Sequence, residues 1–128
     1  MPSATERLRV LLVEDDRDLA EVTQAALEFE GLEVAVAYDG REGLEAAFRL
    51  RPDVIITDLI MPVLDGLQLI QRLQSEPEPR SPVIAVSAVS SRLRTARELG
   101  AIEGLVKPVH PRELADCARK AWRHAHAA

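Results

Sequence analysis

Apolar and polar positions along the chain alternate between two patterns. Short runs of β-branched and aliphatic residues recur, and between them lie longer stretches with apolar residues at helical spacing. Residues 8–13 (LRVLLV) predict a first buried strand, which ends in Glu14-Asp15-Asp16. Asp16 suits the N-cap of a helix beginning near Arg17. Leu19, Val22, Ala26 and Phe29 repeat at helical spacing and continue that helix, with Gly31 as its stop. Residues 32–38 alternate into a second strand. Asp39 caps a second helix that runs to Leu50 and cannot pass Pro52.

Residues 52–66, PDVIITDLIMPVLDG, form the centre of the pattern. Val54-Ile55-Ile56 is continuously apolar and β-branched, as in a strand covered on both faces. Such a strand delivers Asp58 to its carboxyl end, followed by an Ile-Met-Pro turn. Asp65-Gly66 opens a third helix with Leu67, Ile70 and Leu73 on one face. A Pro-rich loop covers residues 76–82. Residues 83–86 predict a fourth strand that ends at Ser87-Ala88, and residues 91–99 a fourth helix that stops at Gly100. Residues 102–106 predict a fifth strand ending at Lys107-Pro108. Pro111 can take the first position of a last helix whose inner face is Leu114, Cys117, Ala118 and Ala121. Five strands alternating with five helices predict an α/β fold, a parallel sheet covered by helices on both faces. No linker or second domain is visible, so residues 1–128 are expected to form one domain.

Composition narrows the function classes. The 128 residues carry a net charge of −5, which argues against a nucleic-acid surface. Aromatics are only 3%, so the core must be aliphatic. The lone Cys117 cannot form an internal disulfide, and no Cys/His spacing suggests zinc. Residues 1–7 are polar and no run reaches membrane-spanning length, so a cytoplasmic location and no membrane contact are expected.

The predicted strand ends gather a constellation. Glu14 and Asp15 follow the first strand, Asp58 the third, Ser87 the fourth and Lys107 the fifth. In an open α/β sheet these ends share one edge, where sites form. Three carboxylates there repel unless a cation intervenes, and Mg²⁺ takes such hard oxygen ligands. A metal, an ammonium and a hydroxyl together suit a transferring phosphoryl group. Asp58 can then serve as the nucleophile. Taken alone, Asp58 fits a strand-ending or capping residue equally well, Ser87 a simple strand end, and Lys107 a surface lysine. Asp16 and Asp65 read as helix caps.

With LLVEDD at the first strand end, DVIITDLIMPVLDG around the third, VIAVSA at the fourth and LVKP at the fifth, the chain resembles the receiver domain of two-component response regulators, the CheY-like family. The matches span the whole chain in order. The resemblance implies a flavodoxin-like, doubly wound (βα)₅ fold with strand order 2-1-3-4-5. It implies that Asp58 is the phosphoacceptor, charged by a sensor histidine kinase or a histidine phosphotransfer protein. Mg²⁺ is implied as cofactor, held by Glu14, Asp15, Asp58 and the backbone carbonyl of Ile60, with Asp15 the more direct ligand of the acidic pair. Ser87 and Lys107 would contact the phosphoryl group, and the Lys107-Pro108 bond would be cis. The implied function is a switch of partner interactions, catalysing only its own phosphorylation and dephosphorylation. Its reader is a downstream protein or an output domain that this chain lacks.

Departures from the family pattern sit at the output side. The family usually has Tyr, Phe or His three positions before the lysine, as a rotating switch; here that residue is Gly104. The stretch from Ser87 to Gly100 is shorter than in familiar members, and Val109 stands where Phe is frequent. Two other readings stay open. One is a Mg²⁺-dependent phosphatase or nuclease using Asp16 and Asp18 as a D-x-D pair, although the residue that should complete a dehalogenase-type motif is missing. The other is a pseudo-receiver that binds partners without phosphorylation. Arg92, Arg94, Arg97, Arg112, Arg119, Lys120 and Arg123 gather in the last two predicted helices. Solvated faces are the plain explanation. A partner or homodimer face built from helix 4, strand 5 and helix 5 is the alternative.

Overall fold

In the computed structural model, which describes residues 7–126, five parallel strands form one sheet in the order β2-β1-β3-β4-β5. The strands are β1 (Arg9–Val13), β2 (Glu33–Ala37), β3 (Val54–Asp58), β4 (Val83–Ser87) and β5 (Glu103–Val106). The helices are α1 (Arg17–Phe29), α2 (Gly40–Leu50), α3 (Gly66–Gln74), α4 (Ser90–Glu98) and α5 (Pro111–Ala125). The expected fold and strand order are therefore observed. Residues 1–6, most of the polar stretch behind the expected cytoplasmic location, lie outside the described residues.

Side chains of the central strands alternate between two apolar layers, as the period of an extended chain requires. Leu11, Val13, Ile55, Val83 and Ala85 face α2, α3 and α4, meeting Ala46, Ala47, Leu69, Ile70, Leu73, Leu93 and Ala96. Val10, Leu12, Val54, Ile56, Ile84 and Val86 face α1 and α5, meeting Leu27, Leu114, Ala118 and Trp122. Both layers are continuous, so the sheet is a rigid platform whose carboxyl edge is well placed in space.

Caps begin the helices where the sequence indicates. Asp16 accepts from Leu19 N–H at 3.1 Å and Asp39 from Glu42 N–H at 2.7 Å. Asp65 and Gln68 form a reciprocal capping box, with bonds of 2.8 and 3.0 Å. Pro111 occupies the first turn of α5.

The large apolar residues at helical spacing in α1 do not form its buried face. Leu19 and Val22 are exposed and Phe29 is 89% exposed, whereas Ala20 and Leu27 are buried. Of the four residues at helical spacing, these three are exposed and Ala26 is half-buried. The sheet instead takes the narrower face with the small Ala20 and with Gln24, whose Nε2 donates to the Val34 carbonyl at 2.9 Å. Smaller corrections follow the same logic. In α3, Leu69 is buried alongside Ile70 and Leu73, while Leu67 is only half-buried. In α5, Ala115 and Trp122 join the buried face and Cys117 is half-buried. Helix α4 starts one residue before the expected Ser91.

Candidate functional site

The carboxyl edge of the sheet brings the candidates together. Register pairs Val13 with Thr57, Asp58 with Val86 and Ser87 with Val106, so the ends of β1, β3, β4 and β5 lie in one row. Glu14 extends β1 by one rung, its N–H donating to the Ala37 carbonyl at 3.0 Å. Asp58 is the last residue of β3. Lys107 directly follows β5, and its N–H donates to the Ser87 carbonyl at 2.9 Å.

Glu14, Asp15 and Asp58 each place a carboxylate oxygen within 4.8 Å of the others, an acidic cluster able to hold a metal ion. Lys107 reaches into it. Its Nζ lies 2.9 Å from Asp58 Oδ2 and 3.3 Å from Glu14 Oε1. The side chains of Glu14, Asp58 and Lys107 are 8%, 13% and 30% exposed, while Asp15 is exposed to solvent. Glu14 Oε2 also accepts the Asp16 N–H at 3.1 Å, and Asp58 Oδ1 accepts the Ile60 N–H at 3.3 Å.

These contacts perturb two of the groups. Burial pushes the Glu14 carboxyl above its ordinary range, and the Asp58 charge adds to this; the Asp16 N–H and Lys107 pull the other way without cancelling it. For Lys107, burial works to lower the pKa. The hydrogen bond and charge of Asp58, helped by Glu14, overcome it and raise the value. The ammonium is thus firmly held in its charged form.

Ser87 is buried, and its Oγ accepts the Val89 N–H at 3.1 Å. The Lys107-Pro108 peptide is cis, as the resemblance implied. Exposed apolar side chains border the site: Ile60 is 53% exposed and Val89 39%. A cavity of about 450 Å³ opens beside the cluster, bounded by Asp58, Lys107, Leu19, Val86 and Leu114.

Asp16 caps α1 and Asp18 sits in that helix's first turn, so the D-x-D pair is outside the carboxylate cluster. Of the gathered basic residues, Arg97 pairs with Glu103 at 2.6 Å, Arg112 with Glu30 at 3.8 Å and Arg119 with Asp116 at 3.6 Å. Arg119 also bonds the Glu30 carbonyl. Much of that charge is therefore spent within the chain.

Gly66 is a supporting residue that the sequence reading took only for a helix opener. A Cβ there would lie 2.2 Å from the Asp58 carbonyl oxygen and 2.7 Å from Leu59 Cα. Its N–H donates to the Leu59 carbonyl at 2.9 Å. Only glycine lets α3 start this close to the strand that carries Asp58. Val63, in the same loop, holds a φ of 69°, a left-handed conformation costly for a β-branched residue. Nothing in its side-chain type signals this.

A doubly wound parallel sheet with an acidic cluster and a lysine at its carboxyl edge is an arrangement suited to phosphoryl groups. Comparison with known proteins places the chain in a family. The sequence pattern of the family described as "Response regulator receiver domain" matches residues 10–119, and the chain belongs to that family. It is 41% identical over 108 residues to the transcriptional regulatory protein PrrA of Mycobacterium tuberculosis, covering 83% of this chain and 46% of PrrA. The chain spans about half the length of the curated relatives it matches. Among solved structures, the receiver domain of Francisella response regulator 1452 superposes with a TM-score of 0.86 at 29% identity, covering 93% of this chain and 99% of that one. The chemotaxis response regulator CheY4 of Vibrio cholerae gives a TM-score of 0.81 at 29% identity, covering 90% and 98%.

Proposed function

We propose that the chain works as a phosphorylation switch in which Asp58 accepts a phosphoryl group from the phosphohistidine of a sensor histidine kinase or a histidine phosphotransfer protein. The observation that carries this reading is the bridge from Lys107 Nζ to both Asp58 and Glu14 inside a three-carboxylate cluster. In the transfer, an Asp58 carboxylate oxygen forms a bond to phosphorus as the bond from phosphorus to the donor imidazole nitrogen breaks. The departing imidazole keeps the electron pair and takes up a proton. Lys107 is held charged beside the acceptor and turns from the carboxylate oxygens to the phosphoryl oxygens as negative charge moves onto them. The Ser87 hydroxyl offers its proton to another of these oxygens. Ile60 and Val89 cover the approach and limit water.

The donor set fits Mg²⁺, since it consists of hard carboxylate oxygens in excess of Lys107, the one cation that faces them among the described residues. Glu14, Asp15 and Asp58 would hold the ion, with the Ile60 carbonyl as a backbone ligand, and when bound it supplies positive charge to the transferring group. Residues 1–128 are read as one receiver unit that turns over no separate substrate. Its state is read by a downstream protein or by an output domain of a longer protein. Relatives named as transcriptional regulators favour the second reader. The net charge of −5 supports a unit that does not itself contact nucleic acid. No helix among the described residues is long and apolar enough to cross a membrane, which fits a cytoplasmic setting. Arg92, Arg94, Lys120 and Arg123 remain for a partner or homodimer face on α4, β5 and α5.

Intact-mass spectrometry with acetyl phosphate tests the reading. One phosphoryl group should be gained with Mg²⁺ and none with EDTA, and p-nitrophenyl phosphate should not be turned over. Uptake indifferent to EDTA, or steady hydrolysis of the nitrophenyl ester, would reject it.

A further inference from the structure

Gly104 leaves no side chain between β5 and α4, and α4 has filled the space. A Cβ at this position would lie 3.2 Å from Leu93 Cβ, 3.3 Å from Leu93 Cδ2 and 3.5 Å from Arg97 Nε. Leu93 and Ala96 are buried in the layer that covers β4. Polar contacts close the same seam. Arg97 Nη2 lies 2.6 Å from Glu103 Oε1 and 3.4 Å from the Gly104 carbonyl oxygen, and Glu103 Oε1 accepts the Gly104 N–H at 3.1 Å. The ion pair is exposed and adds little alone. Packed onto a bare backbone, however, it ties the second half of α4 to β5.

The first turn of α4 is held differently. Its N-cap, Val89, provides no side-chain cap. The contact that fastens this turn to the site is the Val89 N–H on Ser87 Oγ, at 3.1 Å. The first N–H groups of a helix have no partner within the helix itself. Ser87 therefore links the phosphoryl site to the start of α4, which has no side-chain cap.

We propose that α4 and β5 are locked together through Gly104, so that occupancy of Asp58 is read at the β4–α4 turn and not through movement of β5. The inference rests on Asp58 being the phosphoacceptor. When the Ser87 hydroxyl turns to a phosphoryl oxygen, its oxygen leaves the Val89 N–H, and residues 87–91 rearrange. Leu93, Arg97 and Glu103 hold the rest of the helix on the strand. A reader of this switch accordingly contacts the site edge and the start of α4.

Amide hydrogen exchange on the full chain, with and without beryllofluoride and Mg²⁺, tests this. Exchange should change around Asp58 and in residues 87–91, and stay unchanged in residues 93–106. In the double variant Leu93→Val/Arg97→Ala, folded by circular dichroism, the change should spread into residues 93–106. Changes centred on Leu105 and Val106 in the unaltered protein would overturn the lock and leave the phosphoacceptor reading standing. A response that stays confined in the double variant would equally show that the seam is not its cause. No response even around Asp58 would overturn both.

Discussion

Replacing Lys107 with Met removes the one cation among the described residues that pairs with Asp58 and Glu14, while keeping a chain of similar bulk. At 2.9 and 3.3 Å, the two attractions amount to about 10 kcal/mol gross at an effective dielectric of about 20. Burying the ammonium costs several kcal/mol of this, so the expected loss is about 3 to 5 kcal/mol, as for breaking other buried pairs. The variant also leaves three carboxylates with no positive charge among them, so a divalent cation should bind it more tightly. A tenfold gain in affinity corresponds to about 1.4 kcal/mol of extra stabilisation when the ion is in excess. Urea denaturation at pH 7, in EDTA and in millimolar Mg²⁺, measures both quantities. The variant should be much the less stable protein in EDTA and should recover more than wild type on adding Mg²⁺. A loss below about 1 kcal/mol, the range of exposed pairs, would refute the reasoning. So would a Mg²⁺ increment no larger than that of wild type.

Other perturbations follow from the same geometry. The folded pKa of Glu14 lies above its ordinary 4.5, so the folded state holds that proton more tightly, and the contribution is lost as pH rises above 4.5. Glu14→Gln in EDTA should therefore be more favourable to stability at pH 7 than at pH 4.5, by urea titration; the opposite order would contradict the burial argument. Gly66→Ala forces a methyl group against the Asp58 carbonyl and should cost about 2 to 3 kcal/mol, visible as a lowered melting temperature. Ile60→Asn with Val89→Glu replaces two exposed apolar neighbours by groups that can orient water. It should speed loss of the aspartyl phosphate about tenfold, a barrier change of about 1.4 kcal/mol, followed by intact mass over time.

Strands were legible because a β-branched run covered on both faces has few other solutions, as Val54, Ile55 and Ile56 show. The site was legible for a related reason. Parallel strands all deliver their ends to one edge, so Glu14, Asp58, Ser87 and Lys107 could be gathered without knowing any distance. Helix faces were less so. On α1 the larger residues at helical spacing, Leu19, Val22 and Phe29, are exposed. Close approach to the sheet favoured the smaller Ala20, with Leu27 below it. Spacing also says nothing of what a missing side chain permits. Gly66 was visible as a turn, and Gly104 as a departure from the family pattern. Their contacts with Asp58 and Leu93 exist only once the chain is folded.

The central claim is that Asp58 is the nucleophile. Borohydride reduction after treatment with acetyl phosphate and Mg²⁺, followed by peptide mass mapping, should place a single base-labile phosphoryl group on Asp58. Asp58→Asn should take up none. Uptake that persists in Asp58→Asn, or a modified residue elsewhere in the chain, would contradict the account.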